Sequence, residues 1–242
     1  MTWQKQVFEN AMAEAGIWSP GYAEDVLVRL AHHSAALEGN TLSISDTVTL
    51  LVDELTPTAG KSLRELYEVA NHREALTRVV LAAAGEKAKA DQLAKDIHAA
   101  LMDHLAFDKG HYKMSENIVR GASWRPVHPT RVAGAMREWA EQVEWQIQNI
   151  EGPEAITAIA QSHIDFERIH PFSDGNGRTG RALICYQTIR MFGVPAIIEV
   201  SQRMSYLKLL DADDGVGLGR MLAALIKAEA QRKKRYFSDS AG

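Results

Sequence analysis

The sequence predicts a mainly α-helical protein, and three observations carry that reading. Apolar residues recur three and four apart over long stretches, as in Val132, Met136, Trp139, Val143, Ile147 and Ile150, the period of a helix that buries one face. Start and stop signals bracket these runs: Ser62-Leu63-Arg64-Glu65 has the capping-box pattern, and Gly16, Gly39 and Gly193 each follow a periodic segment. One stretch, Phe107 to Pro129, loses the helical period; Gly110, Gly121, Pro126 and Pro129 punctuate Tyr112, Ile118, Val119 and Trp124, which reads as a small β-hairpin.

Taken in order, Trp3 to Ala15 reads as a helix with Val7, Phe8 and Met12 inward. A second helix, about 22–40, carries Val26, Leu27, Leu30 and Ala31, and continues to Ser34 and Glu38, four apart and so on one face. Glu38 meets the negative end of that helix and needs a cation or water; as a residue by itself it reads as a solvated surface carboxylate. Asp46 caps a short helix through Leu55, and Ser62 opens a long one to about Ala84. Leu93, Ile97, Leu101 and Leu105 form the next apolar face, with His98 and His104 as polar packing or surface residues. Gly152-Pro153 opens the helix that ends at His170, with His163 as a packing histidine. Another helix runs to about Met191, followed by a short extended piece, Ile197 to Val200, and a closing helix marked by Leu218, Met221, Leu222, Leu225 and Ile226.

Composition narrows the function classes. The 242 residues suffice for one domain, or one with an appendage. With 27 Lys and Arg against 31 Asp and Glu, the formal charge of −4 argues against nonspecific nucleic-acid binding, and Arg232 to Arg235 is too short a basic cluster to reverse that. Cys185, the one cysteine, allows no internal disulfide and reads as core filler. No basic-then-apolar leader is present, and no run approaches the roughly 18 apolar residues of a membrane span; the expectation is a cytoplasmic protein with no membrane partner.

Chemistry concentrates in His170-Pro171-Phe172-Ser173-Asp174-Gly175-Asn176-Gly177-Arg178-Thr179-Gly180-Arg181. Gly175, Asn176, Gly177 and Arg178 open a helix, so unpaired N–H groups and a positive dipole end face outward, where an anion belongs. Arg178 and Arg181, three apart, can fork onto phosphate oxygens. Asp174 is a hard oxygen ligand placed for a phosphate-bridging Mg²⁺. His170, with an ordinary pKa of about 6.5, can take a proton from a hydroxyl at neutral pH. His-Pro at a helix end is by itself a stop signal and Gly-Asn-Gly a turn, but a structural loop needs none of these groups together. The inventory suits a nucleoside triphosphate.

From His170 to Arg181 every defined position matches the signature of the Fic family, His-x-Phe-x-Asp/Glu-Gly-Asn-Gly-Arg-x-x-Arg, and Ala160, His163, Phe166 and Ile169 resemble its preceding helix. Ser34-Ala35-Ala36-Leu37-Glu38-Gly39-Asn40 is similar to the family's inhibitory motif, in the class that builds the inhibitory helix in at the N-terminal side. The resemblance implies a Fic fold, a helical bundle around the loop–helix motif with a β-hairpin flap at 107–129. It divides the chain into 1–60 with the inhibitory helix, a catalytic core 61–200, and 201–242 with closing helices and a short tail. The implied activity is transfer of AMP from ATP to a Ser, Thr or Tyr hydroxyl of a target protein laid along the flap. His170 would be the base, Asp174 the Mg²⁺ ligand, Gly175, Asn176, Gly177, Arg178 and Arg181 the phosphate cradle, and Phe172 the structural anchor. Glu38, with Ser34, would occupy Arg181 and inhibit. Tyr206 alone matches the family's base-pocket residues well, Arg203 standing nearby, and Gly110-His111-Tyr112-Lys113 departs from the usual Gly-x-Tyr/Phe-Arg.

Rival readings remain open at this point: removal of AMP with Glu38 positioning water, a metal-dependent hydrolase using His163, Asp165, His170 and Asp174, and a catalytically quiet nucleotide-binding regulator. Self-modification and a homodimer are also left open.

Overall fold

The computed structural model describes residues 2–57, 60–85, 89–119 and 121–238. Among these, eleven α-helices follow one another: α1 (Thr2–Ala15), α2 (Pro20–Leu37), α3 (Ile44–Leu51), α4 (Leu63–Ala70), α5 (His72–Ala84), α6 (Ala90–Leu101), α7 (Pro129–Asn149), α8 (Gly152–Ile169), α9 (Asn176–Phe192), α10 (Arg203–Asp211) and α11 (Gly215–Ser238). The helical class is as the periodicity predicts.

Local chemistry explains most boundaries. Ser43 Oγ accepts from Asp46 N at 3.1 Å while Asp46 Oδ2 accepts from Ser43 N at 2.9 Å, so Asp46 is the third residue of α3 and Ser43 its cap, and the helix stops at Leu51 rather than Leu55. Ser62 and Glu65 form the same reciprocal pair at α4. The long helix expected from Ser62 to Ala84 is two, because Asn71 between them donates its amide to the Leu101 carbonyl at 2.9 Å and the Asp103 carbonyl at 2.8 Å. α6 ends before Leu105, leaving that residue in a turn.

α9 is the axle. From Arg178 to Ile189 every side chain is buried. On one side Leu183, Cys185, Tyr186 and Ile189 join the large core built from α1, α2, α5, α6 and α7, where Leu76, Val79, Ile97, Leu101 and Met136 are fully enclosed. On the other side Ile184 packs with Ile159 and Ile164 of α8, Tyr206 and Leu210 of α10, and Leu218, Leu222 and Ile226 of α11. Burial of these apolar side chains, at about 25 cal/mol per Å², is the main force holding α8 and α9 side by side.

The hairpin expected at 107–129 is absent as a strand pair: among the described residues no strand is present, and this segment is a sequence of turns and irregular chain. Its backbone groups are used elsewhere. Lys113 N donates to the Pro171 carbonyl at 2.8 Å and Val127 N to the Arg168 carbonyl at 3.3 Å, so the segment is tied to the end of α8 and the following loop rather than paired strand to strand. Among the described residues no helix is long and apolar enough to cross a membrane.

α2 is moored at its far end to α11. Tyr22 donates its hydroxyl to Glu229 Oε1 at 2.8 Å, and Arg29 forks onto both Glu229 oxygens at 2.9 and 2.7 Å while also holding Asp25. Glu229 is 6% exposed. Truncating it strands the Tyr22 phenol and leaves Arg29 with Asp25 alone, so Glu229→Ala should cost about 2–4 kcal/mol, read as a lower urea midpoint at unchanged slope.

Candidate active site

The loop between α8 and α9 is fixed from below by one side chain. Phe172 is fully buried, stacked on the His98 ring at 3.8 Å between centroids and 3° between planes, with Tyr112 and Phe166 beyond. The Phe172 backbone is clamped as well: its N–H donates to Asn176 Oδ1 at 2.9 Å, and its carbonyl accepts from Asn176 Nδ2 at 2.8 Å and Asn117 Nδ2 at 2.9 Å. Asn176, 2% exposed, thus spends its side chain on the loop and has only its backbone N–H to offer an anion. Lys113 Nζ donates to Asn117 Oδ1 at 2.7 Å, and burial lowers its pKa to about 8.

His98, read from sequence as packing or surface, is a strut of this loop. Its Nε2 donates to the Asp174 carbonyl at 3.0 Å and its Nδ1 accepts from Gly110 N at 2.8 Å. Both ring nitrogens are satisfied in the neutral form, and burial lowers the pKa to about 4. Its place on the apolar face of α6, one residue after Ile97, was the available signal.

His170 caps α8 in the left-handed region, φ 49° and ψ 61°, a conformation that costs a non-glycine residue on the order of 1–3 kcal/mol and clusters at functional sites. Its Nδ1 lies 3.2 Å from the Glu167 carbonyl, which assigns the proton to Nδ1 and leaves the Nε2 lone pair free. Burial lowers its pKa to about 4, so the ring is neutral at physiological pH. His170 lines a cavity of about 260 Å³ together with Glu38, Trp124, Glu167, Gly177, Arg181 and Tyr206.

Two guanidinium groups face this region. Arg178, 3% exposed, has Nε and Nη1 without hydrogen-bond partners, its nearest carboxylates being Asp174 Oδ1 at 3.7 Å and Glu68 Oε1 at 3.9 Å. An orphaned buried cation at a helix N-terminus fits an absent anion. Arg181 is 5% exposed and fully engaged: Nε donates to Ser34 Oγ at 3.1 Å, and Nη2 to the Ser34 carbonyl at 2.9 Å and to Glu38 Oε1 at 2.8 Å. A Cβ on Gly177 would collide with Glu38 Oε1 and Arg181 Nη1, so only glycine admits this carboxylate here. Burial works against the Glu38 charge, but Arg181 and then Arg178 hold its pKa below the usual glutamate value.

Asp174 is half exposed. Its Oδ1 accepts from Gly175 N at 2.7 Å and its Oδ2 from Arg64 Nη2 at 3.0 Å; burial raises its pKa, and Arg178, the Gly175 amide and Arg64 outweigh that to leave it lowered. A solvent-facing ionised carboxylate beside the helix N-terminus suits a hard cation. Arg64 and Glu68 of α4, joined at 3.0 Å, were not expected in the site.

Tyr206, expected to touch a base, lines the cavity but is 1% exposed, and its hydroxyl meets His163 Nε2 at 2.7 Å. His163 is a packing residue, and burial lowers its pKa to about 3. Asp165 accepts from Gln161 at 3.0 Å. The hydrolase set His163, Asp165, His170 and Asp174 is thus dispersed, and among the described residues no three His, Cys, Asp or Glu side chains converge as metal ligands.

Fold and site together define a helical protein built around a glycine-rich loop–helix with an imidazole across it. Residues 90–188 match the Fic/DOC family, so the chain carries a Fic/DOC domain. It is 31% identical over 184 residues to the protein adenylyltransferase Fic of Nematostella vectensis, a match covering 74% of this chain and 42% of that protein, so the chain spans less than half of this relative. Its fold is similar to a Fic domain containing signaling protein from Bacteroides thetaiotaomicron, with a TM-score of 0.71 at 21% identity over 94% of this chain and 98% of that one. Fic-1 from C. elegans gives 0.73 at 24% identity, covering 98% of this chain and 72% of that one.

Because the Glu38 pKa is lowered by folding, its charge stabilises the protein above the ordinary value of 4.5 and ceases to do so as pH falls through the lower folded value. Wild type should therefore melt above Glu38→Gln at pH 7, with the gap closing as pH falls below 4.5. A gap independent of pH would remove the charge from the explanation.

Proposed function

We propose that this protein is a protein adenylyltransferase, moving AMP from ATP to a Ser, Thr or Tyr hydroxyl of a target protein and held down at rest by Glu38. The observation that carries the reading is that a neutral His170 with a free Nε2 lines the same cavity as the Glu38–Arg181 pair, beside the unsatisfied guanidinium of Arg178. The hydroxyl proton passes to His170 Nε2, the oxygen bonds the α-phosphorus, the bond to the β-phosphate breaks, and pyrophosphate leaves. Arg178 and the backbone N–H groups of Gly175, Asn176 and Gly177 stabilise the growing phosphate charge, and Arg181 takes the γ-phosphate once Glu38 has gone. Asp174 would hold Mg²⁺, which supplies charge neutralisation to the phosphates.

The size of the cavity supports inhibition. About 260 Å³ is below the roughly 300–1,000 Å³ of ordinary ligand sites, and Glu38 fills space that the phosphates need. A second hollow of about 460 Å³ shares Gly121, Leu207 and Asp211 with the first; the nucleoside extends there, past the wall that Tyr206 supports. Met114 and Ile118 of the irregular flap are 93% and 81% exposed, apolar groups on which a target chain can dock.

A second reading, removal of AMP with Glu38 orienting a water, is favoured by one observation: the Glu38 side chain keeps 44% of its surface exposed while lining the cavity with His170. One assay separates the two. With labelled ATP, Mg²⁺ and lysate, Glu38→Gly should raise AMP transfer to targets or to the protein itself by roughly 5–150-fold; loss of the principal activity on that change supports removal instead. In the same background His170→Ala should lower transfer by roughly 10²–10⁴-fold with ATP binding retained, and Asp174→Asn should abolish the effect of chelator on nucleotide affinity. Mass added as adenosine monophosphate on a hydroxyl side chain identifies the reaction.

A further inference from the structure

α8 brings to the cavity one titratable group that the chemistry above leaves unused. Glu167 lies three residues before His170 and is 7% exposed. Its Oε2 is 3.8 Å from His170 Nδ1, its Oε1 is 4.0 Å from His163 Nε2, and Oε1 has no hydrogen-bond partner. A lone buried carboxyl is a poor core filler, since an apolar side chain of similar size would avoid the desolvation.

The opposite helix is shaped around it. A Cβ on Gly180 of α9 would stand 2.6 Å from Glu167 Oε1 and 2.8 Å from His163 Cε1, so glycine there is what admits the carboxyl between α8 and α9. The side chain is thereby fixed beside the imidazole on the edge opposite the one that meets substrate.

We propose that Glu167 is the positioning residue of His170: its carboxylate faces the Nδ1 edge, favours the tautomer with Nε2 free, and stabilises the imidazolium formed when Nε2 takes the hydroxyl proton. The inference rests on His170 being the base. Glu167 moves no atom of the substrate; it supplies the negative charge that accompanies the new positive one, as the carboxylate of a Ser-His-Asp triad does.

The groups facing Glu167 come from four elements: His163 and His170 from α8, Arg181 from α9, Tyr206 from α10, and Glu38 from the end of α2. Burial raises its pKa to about 8, with Arg181 pulling down and Glu38 adding to the rise. With Glu38 docked the carboxyl is mostly protonated at neutral pH. Arg181 favours the ionised carboxyl, and the imidazolium formed when His170 takes the hydroxyl proton favours it further, so the counter-charge is available as the base becomes charged. His170 and Glu167 titrate as a pair, so the profile reports on both.

The test uses the Glu38→Gly protein with labelled ATP, comparing kcat, KM for ATP and the dependence on pH from 6 to 9 with and without Glu167→Gln. The expected result is a kcat lower by about 10–100-fold, within the roughly 10²–10⁴-fold that a general base supplies, with KM changed less than about twofold and the rise of kcat with pH lost. An unchanged kcat and profile overturns the inference, and so does a loss confined to KM, which would make Glu167 a partner of Arg181 instead. If Glu167→Gln does not fold, Glu167→Asp, which keeps the charge and draws it back by one methylene, takes its place: a lowered kcat with KM for ATP little changed supports the inference, and an unchanged kcat overturns it. His170→Ala runs in parallel; full activity there overturns the base assignment itself, whereas an inactive His170→Ala beside an unaffected Glu167→Gln overturns only the role of Glu167.

Discussion

A guanidinium placed in the middle of a helical core is the constraint to which the rest answers. Arg181 is 5% exposed, on a helix whose central residues are all buried. A charge so far from water must be paired and hydrogen-bonded, or the fold loses several kcal/mol. Three acceptors meet the need, and all of them come from the last turn of α2: Ser34 Oγ, the Ser34 carbonyl and Glu38 Oε1. α2 is therefore part of the core's electrostatics as much as of its apolar packing. The Tyr22–Arg29–Glu229 cluster at its opposite end keeps the helix seated against α11.

The pair is asymmetric, and under the proposed function that asymmetry makes it a usable switch. Glu38 keeps 44% of its side chain in contact with solvent while Arg181 keeps 5%. Of the two partners Arg181 is the more deeply buried, so the larger cost of withdrawing Glu38 falls on it, and another anion can offset that cost. A triphosphate is such an anion. The plug and the substrate then compete for one buried cation, and neither has to be destroyed for the other to win.

The helices and the chemistry-bearing loop were legible because both are written in local spacing. The Ser62–Glu65 capping pair marks α4, and His170 through Arg181 places an imidazole, a carboxylate, a glycine turn and two guanidinium groups within one turn and its flanks. What escaped depends on chain segments meeting in space. His98 supports Phe172 from 74 positions earlier, Asn117 and Lys113 reach the loop from the irregular segment, and Arg64 arrives at Asp174 from α4. The expected hairpin failed for a related reason: turn residues and alternating apolar groups cannot reveal that the backbone donors at Lys113 and Val127 are taken by Pro171 and Arg168. Asn71 likewise reads as helix until Leu101 and Asp103 supply its partners. Glu167 was within reach of spacing alone, standing three residues before His170 on the same helix.

The loop's rigidity and the site's charge balance are two aspects of one arrangement. His170 adopts a left-handed backbone that an ordinary turn would relax, and it is kept there because Phe172 cannot leave its slot between His98, Tyr112 and Phe166. With the backbone fixed, the imidazole can face the cavity only by bringing its Nδ1 edge to the end of α8, where the Glu167 carbonyl and carboxyl both lie. Under the proposed function, the strain that aims His170 at substrate is thus the same strain that sets it against an acid. Four ionisable side chains then share the neighbourhood of α9: Arg178 and Arg181, whose pull favours anions, and Glu38 and Glu167, of which the second is held mostly neutral. Under the proposed function, phosphate in place of Glu38 keeps a counter-charge on Arg181 and moves the negative charge to where it reacts.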